Sequence, residues 1–509
     1  MSDAPEPESP PAATAPDADM AALARGGRLN FFGFVMRLIA RIPFFFIAGR
    51  SYGPEALGRF AYAVLVVELA SQLASMGLKR GLAQQLANSD RPHANIVADA
   101  ILLTSIGSAI GMAILMSFPV AMFPNSPVHG LDWMLPVTVL AIALTDIALA
   151  ALAYRGDIGA TVRARSVIEP WAISIVAFGW SYVSLRDGLI ISYVVSMIAA
   201  MVAALIPLAR SYGVPHGWRP DLRGAWAAAR RNSPLAAADA VEWASRRVDI
   251  AVLGLFATPA FVGVYYIAQQ VATLPAKMKS SFEPVLGPAI ARGLADDDKA
   301  AVAKQVRQVG FWILGAQAGI ALALGIPGRA VMALVGDKFT SGTAMLAFLL
   351  AAEVIAATAV VSEAALIYVA RHRNMAISLT MLALQAILSA ALIILFRRLG
   401  WEPAYQATGP AVALALALAF ASIAKARLLA KVLGYPVSGW RWDILWATAA
   451  GVVVGVPMRL LVPPLAQLVV GIPLILGAFG VVLWTKGFHA EDRVLFRMRK
   501  VEVEELGER

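Results

Sequence analysis

Arg37 and Arg41 stand four residues apart inside "GFVMRLIARIPFFFIAGRSYG", Gly33 to Gly53, a stretch otherwise apolar enough to enter a lipid bilayer. Arginine stays protonated at any relevant pH, and each one at the centre of an inserted helix costs roughly 2.5 to 3.5 kcal/mol. The pair therefore needs compensation. At about 100° per residue the two lie about 40° apart on one helix face, with Asn30 near the same stripe. A second stripe occurs in "PLAAADAVEWASRRVDIAVLGLF", where Asp239, Glu242, Arg246 and Asp249 fall within roughly 80° of arc and Arg247 sits apart. Such faces are intolerable toward lipid and must look into the protein or water. Two uses are open to them. The carboxylates and arginines can pair with one another and hold helices together. Alternatively, Arg37, Arg41 and Arg246 meet a polyanionic group, because a guanidinium fork matches phosphate oxygens bidentately. In that reading Asp239, Glu242 and Asp249 hold the arginines until the anion arrives, or take up a coupling proton or sodium ion.

Weaker cavity candidates are Glu68, Gln72, Gln269, Gln270 and Glu363, together with Asp99, Asp146, Glu169 and Glu353. Each alone reads as a packing or pore-lining group, although the two glutamines at 269 and 270 have the donors and acceptors to contact sugars. The chain has no cysteine, which excludes disulfides, thiol catalysis and thiolate metal sites. Its five histidines are scattered over loops and tail without metal-site spacing. We expect no metal, no cofactor and no catalytic residue.

The elements that must position these side chains are membrane spans. Of 509 residues, 59% are hydrophobic and 15% charged, and the mean hydropathy is +0.70. Apolar runs of about 20 residues, enough to cross the hydrocarbon core, recur along nearly the whole chain and give 14 candidate spans. With a cytoplasmic N-terminus and alternation thereafter, 31 of the 43 Lys and Arg fall on the cytoplasmic side and 8 on the other, so both termini are expected to be cytoplasmic. The formal charge of +10 then belongs to loops that hold topology and meet anionic lipid. Nucleic acid is not an expected partner.

An ungapped offset of 205 residues pairs Arg41 with Arg246, Gly49 with Gly254, Pro54 with Pro259, Gly58 with Gly263 and Ala63 with Ala268. Six spans separate the copies, so both enter the membrane from one side, and parallel repeats of this kind make two bundles around a central cavity. The expected architecture is an all-α polytopic membrane protein. Its parts are an Ala/Pro/acid-rich disordered tail (1–27), a six-helix bundle (28–210) and a basic cytoplasmic linker (211–233). A second six-helix bundle (234–424), a basic linker (425–441), two further spans (442–485) and a charged cytoplasmic tail (486–509) follow. Trp218 and Trp226 give the first linker the option of lying in the membrane interface, but a plain linker is the simpler reading.

The segments "GRSYGPEALGRFAYAVLVVELASQLASMGLKRGLAQQLA" (49–87), "RRVDIAVLGLFATPAFVGVYYIAQQVATLPAKMKSSFEPVLGPAIARGLA" (246–295) and "LVGDKFTSGTAMLAFLLAA" (334–352) resemble the polysaccharide flippases of the multidrug/oligosaccharidyl-lipid/polysaccharide (MOP) exporter superfamily. The resemblance covers nearly the whole chain, in scaffold-like motifs that specify the superfamily better than the substrate. It implies two six-helix bundles with a V-shaped alternating-access cavity, plus two helices in some branches. It also implies translocation of an undecaprenyl-pyrophosphate-linked oligosaccharide repeat unit from the cytoplasmic to the periplasmic leaflet of a bacterial inner membrane. Coupling to H+ or Na+, and polysaccharide polymerase and export machinery as partners, follow from the same likeness. First-span cavity arginines of lipid II flippases carry over by position to Arg37 and Arg41, and the Arg/Asp pattern of span 7 to Arg246 and Asp249. A multidrug antiporter would want an acidic, aromatic cavity, against which two span-1 arginines argue. A lipid II flippase of the same superfamily stays open. A membrane glycosyltransferase or polymerase usually needs a substantial outer loop with catalytic groups, and the outer connections here are short, so we expect no enzyme.

Overall fold

A computed structural model of the protein describes residues 39–276, 286–287 and 290–488, and every element among them is helical. In chain order these are α1 (39–47), α2 (Gly53–Ala74), α3 (Leu78–Ala87), α4 (His93–Ser117), α5 (Val137–Tyr154) and α6 (Glu169–Trp180). They continue as α7 (Gly188–Tyr212), α8 (Leu222–Ser245), α9 (Val248–Phe256), α10 (Pro259–Ala276), α11 (Lys299–Gly325) and α12 (Gly328–Val335). The last five are α13 (Thr343–Val369), α14 (Arg371–Arg398), α15 (Gly409–Leu433), α16 (Asp443–Leu461) and α17 (Ile472–Val482).

The expected spans fall on helix wherever residues are described, yet only ten runs among those residues are long and apolar enough to cross a membrane uninterrupted. Three features account for most of the difference: the first two spans run on as one helical stretch, the fifth carries Arg163, Arg165 and Glu169, and the seventh is broken. The first two spans join through a π turn, Ala48–Tyr52, and Gly53 at φ 80°, a left-handed turn open to glycine, with Pro54 opening α2. Pro170 has no N–H to return to the preceding turn, and residues Val162–Ile168 widen into a π helix just before α6. The expected seventh span is two helices, α8 and α9, parted at Arg246 and Arg247.

The helices sort into two compact units. One holds the described residues up to Ile47, Val67–Ser117 and Gly130–Asp239; the other holds Ala48–Val66, Phe118–His129 and the described residues from Ala240 onward. Within the first, α4 packs on α5, α5 on α7 and α7 on α6; within the second, α11 packs on α13, α13 on α15 and α15 on α14. The same order of neighbours occurs in both, as a sequence repeat requires. Helices α16 and α17 pack on each other and on α11, which fits their place outside the repeat.

The repeat residues meet each other in the second unit. A Cβ built on Gly58 would sit 1.7 Å from the carbonyl oxygen of Pro259 and 2.7 Å from the Gly263 nitrogen; one on Gly263 would sit 2.0 Å from the Pro54 oxygen and 2.9 Å from the Gly58 nitrogen. The contact is reciprocal, and only glycine lets the two backbones approach so closely. Loops brace it from both sides. Asn125 Nδ2 donates to the carbonyls of Gly254 (2.6 Å) and Ala257 (3.1 Å), capping the end of α9. Arg59 pins that loop through Ser126 Oγ (3.0 Å) and the Pro127 carbonyl (2.8 Å), while Arg50 donates to the Leu334 carbonyl (3.1 Å).

Two boundaries differ from the sequence expectation. Helix α8 begins at Leu222, inside the stretch read as linker. Trp218, an option for the membrane interface, instead donates its Nε1–H to Asp99 at 2.8 Å, and Arg91 bridges Asp99 (2.9 Å) and Asp221 (3.4 Å), which ties the linker to the start of α4. Lys425, assigned to a basic linker, lies inside α15 at 3% exposure and pairs with Glu363 at 3.0 Å; a buried ammonium needs such a partner. Outside the spans, Asp187 closes the turn before α7. Burial alone would raise its carboxyl, but Arg186, the Leu131 N–H and Ser184 together hold it below the ordinary carboxylate range.

Candidate functional site

Two clusters of charged and polar side chains are set into helices, one in each unit. The first begins at the π turn before Pro170. Arg165 sits on that turn and Glu169 four residues on, so they meet on one face: Arg165 Nη1 donates to Glu169 Oε2 at 2.9 Å. The other fork of the guanidinium reaches Asp146 Oδ1 on α5 at 2.5 Å. Lys79 Nζ, at the start of α3, donates to Asp146 Oδ2 at 3.1 Å, and Arg41 Nη2 on α1 donates to Glu169 Oε1 at 3.3 Å. The five form a chain, Lys79, Asp146, Arg165, Glu169, Arg41, with charges alternating in sign. Its inner three side chains are 11 to 17% exposed, whereas Arg41 is 47% and Lys79 43% exposed.

Three cations face two carboxylates. Each buried carboxylate has two cationic partners, so neither is left uncompensated if one moves away. The outer cations are the accessible ones. Such an arrangement presents positive charge to an anion, since the five groups together carry one net positive charge.

The second cluster surrounds Asp249 at the start of α9, 1% exposed. Its carboxylate accepts from Tyr265 Oη (2.8 Å), Gln269 Nε2 (3.0 Å) and the Ile250 N–H (2.9 Å). Gln269 Nε2 also donates to the Arg246 carbonyl at 3.2 Å. That carbonyl belongs to the unwound step between α8 and α9, where Arg247 takes φ −140° and ψ −4° and lays its guanidinium over the Trp243 ring at 5.2 Å. Buried carboxylate, unwound backbone and a side-chain amide together make the kind of polar pocket at which broken helices take up small cations.

The structure rearranges the sequence candidates. The stripe expected along residues 239–249 does not run as one helix face, because the break after Ser245 puts Arg246 and Asp249 on either side of a turn. Asn30 and Arg37 lie outside the described residues, as do the side chains of Asp239 and Glu242. Gln269, expected at sugars, serves Asp249; Glu68, Gln72 and Gln270 are half-buried in α2 and α10. Asp146 and Glu169, read singly as packing groups, belong to the same network as Arg41. Arg165 and Lys79 lie just outside the apolar runs read as spans, so the sequence alone offers neither as a candidate. The i, i+4 spacing of Arg165 and Glu169 was the available signal.

A family model described as "Polysaccharide biosynthesis protein" matches residues 49–344 of the chain. No curated protein matches it. Among solved structures the chain is similar to the lipid II flippase MurJ in an inward closed conformation, at 12% identity over 91% of this chain and 99% of that one, with a TM-score of 0.65. It is similar to an inward-facing multidrug resistance MATE family transporter of the MOP superfamily, at 12% identity over 78% of this chain and 94% of that one, TM-score 0.62. A further similar structure is a MOP superfamily transporter from Pyrococcus furiosus, noted for the reverse polarity of its binding pocket, at 13% identity over 81% and 95%, TM-score 0.54. Likeness at these identities is a likeness of fold.

Proposed function

We propose, from the premise that the chain belongs to this family of polysaccharide biosynthesis proteins and is a multi-pass membrane protein with the MOP transporter fold, that it is a lipid-linked oligosaccharide flippase. Its substrate is an undecaprenyl-pyrophosphate-linked repeat unit, carried from the cytoplasmic to the periplasmic leaflet of a bacterial inner membrane by alternating access. The observation that carries the reading is Arg41: a permanent cation in a membrane span, half-exposed and held by a carboxylate it shares with a second arginine. A guanidinium in that condition is able to exchange a carboxylate for a diphosphate, which offers more oxygens in the same bidentate geometry. The excess of Lys and Arg on one side of the alternation supports cytoplasmic termini, and with them a periplasmic contact between Gly58 and Gly263. Transport needs no bond-making, so no group here is asked to act as an enzyme's acid or base. Polymerase and export machinery would receive the product.

The test is reconstitution into liposomes with a fluorescent undecaprenyl-diphosphate-linked oligosaccharide, scoring its passage between leaflets with and without an imposed H+ or Na+ gradient. Lipid II and an organic cation serve as competitors. Passage of the lipid-linked oligosaccharide is expected, and passage of the organic cation alone would refute the proposal. For coupling we assign Asp249. Asp249→Asn keeps the size and much of the hydrogen bonding while removing the charge, so the protein should accumulate normally and lose any stimulation by the gradient. Undiminished gradient dependence in that variant would remove Asp249 from the coupling role.

A further inference from the structure

Resting on the reading of Arg41 as a ligand of the substrate diphosphate, we propose that Glu169 is the carboxylate which substrate displaces from Arg41, and that Arg165 is the positioning residue that permits the displacement. Glu169 accepts from Arg165 at 2.9 Å and from Arg41 at 3.3 Å. The shorter contact is to the more buried cation. When Arg41 turns to the diphosphate, Glu169 keeps Arg165 and stays compensated. Without Arg165, Arg41 could leave only by stranding a buried carboxylate, which is strongly unfavourable, so Glu169 would grip Arg41 and compete with substrate.

The opposite end of the chain obeys the same rule. Asp146 is shared by Arg165 at 2.5 Å and Lys79 at 3.1 Å, so it too stays compensated when the exposed lysine moves. One buried guanidinium, forked between two carboxylates on neighbouring helices, thereby lets either accessible cation move away. Arg165 lies in the π turn at Val162–Ile168, with one arm of its fork on Glu169 and the other on Asp146. Arg165 itself meets no substrate in this scheme. Its effect reaches the diphosphate only through the hold of Glu169 on Arg41.

The scheme makes opposite demands on the two residues. In the liposome assay, Glu169→Gln should lower the half-saturating concentration of the fluorescent undecaprenyl-diphosphate probe about tenfold, a usual size for such a coupling. Its maximal rate should fall as well, because nothing then competes the diphosphate off. Arg165→Gln should raise the half-saturating concentration by a similar factor. Combining Arg165→Gln with Glu169→Gln should restore it to the wild-type value or below, since the uncompensated carboxylate is gone. An Arg165 that merely holds helices together predicts a double variant at least as impaired as Arg165→Gln, and that result overturns the inference. Should Arg165→Gln fail to accumulate in the membrane, Glu169→Gln decides alone: an unchanged half-saturating concentration rejects the exchange. Arg41→Ala separates the two levels. If it transports normally, the reading of Arg41 as a ligand fails; if it is inactive while Glu169→Gln behaves as wild type, only the exchange fails.

Discussion

Arg41→Ala is expected to reduce flipping of lipid-linked oligosaccharide about a hundredfold while protein abundance in the membrane stays near normal. The two effects part because of where the side chain sits. Arg41 is half-exposed, so its removal opens no core, and Glu169 retains Arg165 as its cation. Stability should therefore change little. Binding should change greatly, because each charge-assisted hydrogen bond to a diphosphate oxygen contributes about 1.5 to 3 kcal/mol, and a fork makes two. Arg41→Lys keeps the charge and loses the planar fork, so an intermediate loss of about tenfold is expected. The measurement is the rate of leaflet exchange in proteoliposomes at matched protein density, with cell-surface polysaccharide as a second readout. Normal rates in both variants would take Arg41 out of the binding site.

Locking the contact between the two repeats should stop transport outright. The chain is free of cysteine, so a pair introduced as Asn125→Cys and Ala257→Cys has no competing thiols. Asn125 Nδ2 lies 3.1 Å from the Ala257 carbonyl, close enough for a short bifunctional thiol reagent to bridge the replaced side chains. Alternating access requires this end to open, so cross-linked protein should lose nearly all flipping and recover it on reductive release of a cleavable linker. The complementary change is Gly58→Val. Its side chain has no room beside the Pro259 carbonyl, where even a Cβ would sit at 1.7 Å, and closure at this end would be prevented. That variant should also fail to transport, but when the three changes are combined the reagent should no longer bridge the two introduced thiols. Undiminished transport in fully cross-linked protein would exclude opening at this contact from the cycle.

The sequence by itself determined that this is a polytopic helical membrane protein, because an apolar run of about 20 residues has few physical options and the count of such runs needs no tertiary information. It also determined the repeat, through Pro54, Gly58, Pro259 and Gly263, since those residue types are demanded by backbone turns and close approach whatever surrounds them. Arg41 was legible for the same reason: a permanent charge in an apolar run needs explaining before any partner is known. What only the tertiary structure decided is which charges meet. Asp146, Glu169 and Lys79 are separated from Arg41 by up to 128 residues of chain in the case of Glu169, and helical spacing says nothing about contacts between helices. Nor does periodicity register a break. The step at Arg246 and Arg247 interrupted a stripe that an unbroken helix would have presented whole, and Arg165, just outside an apolar run, lies at the centre of a buried network. Backbone hydrogen bonds lost or lengthened at a proline or an unwound turn shift every later side chain around the helix axis, and that shift is fixed by packing.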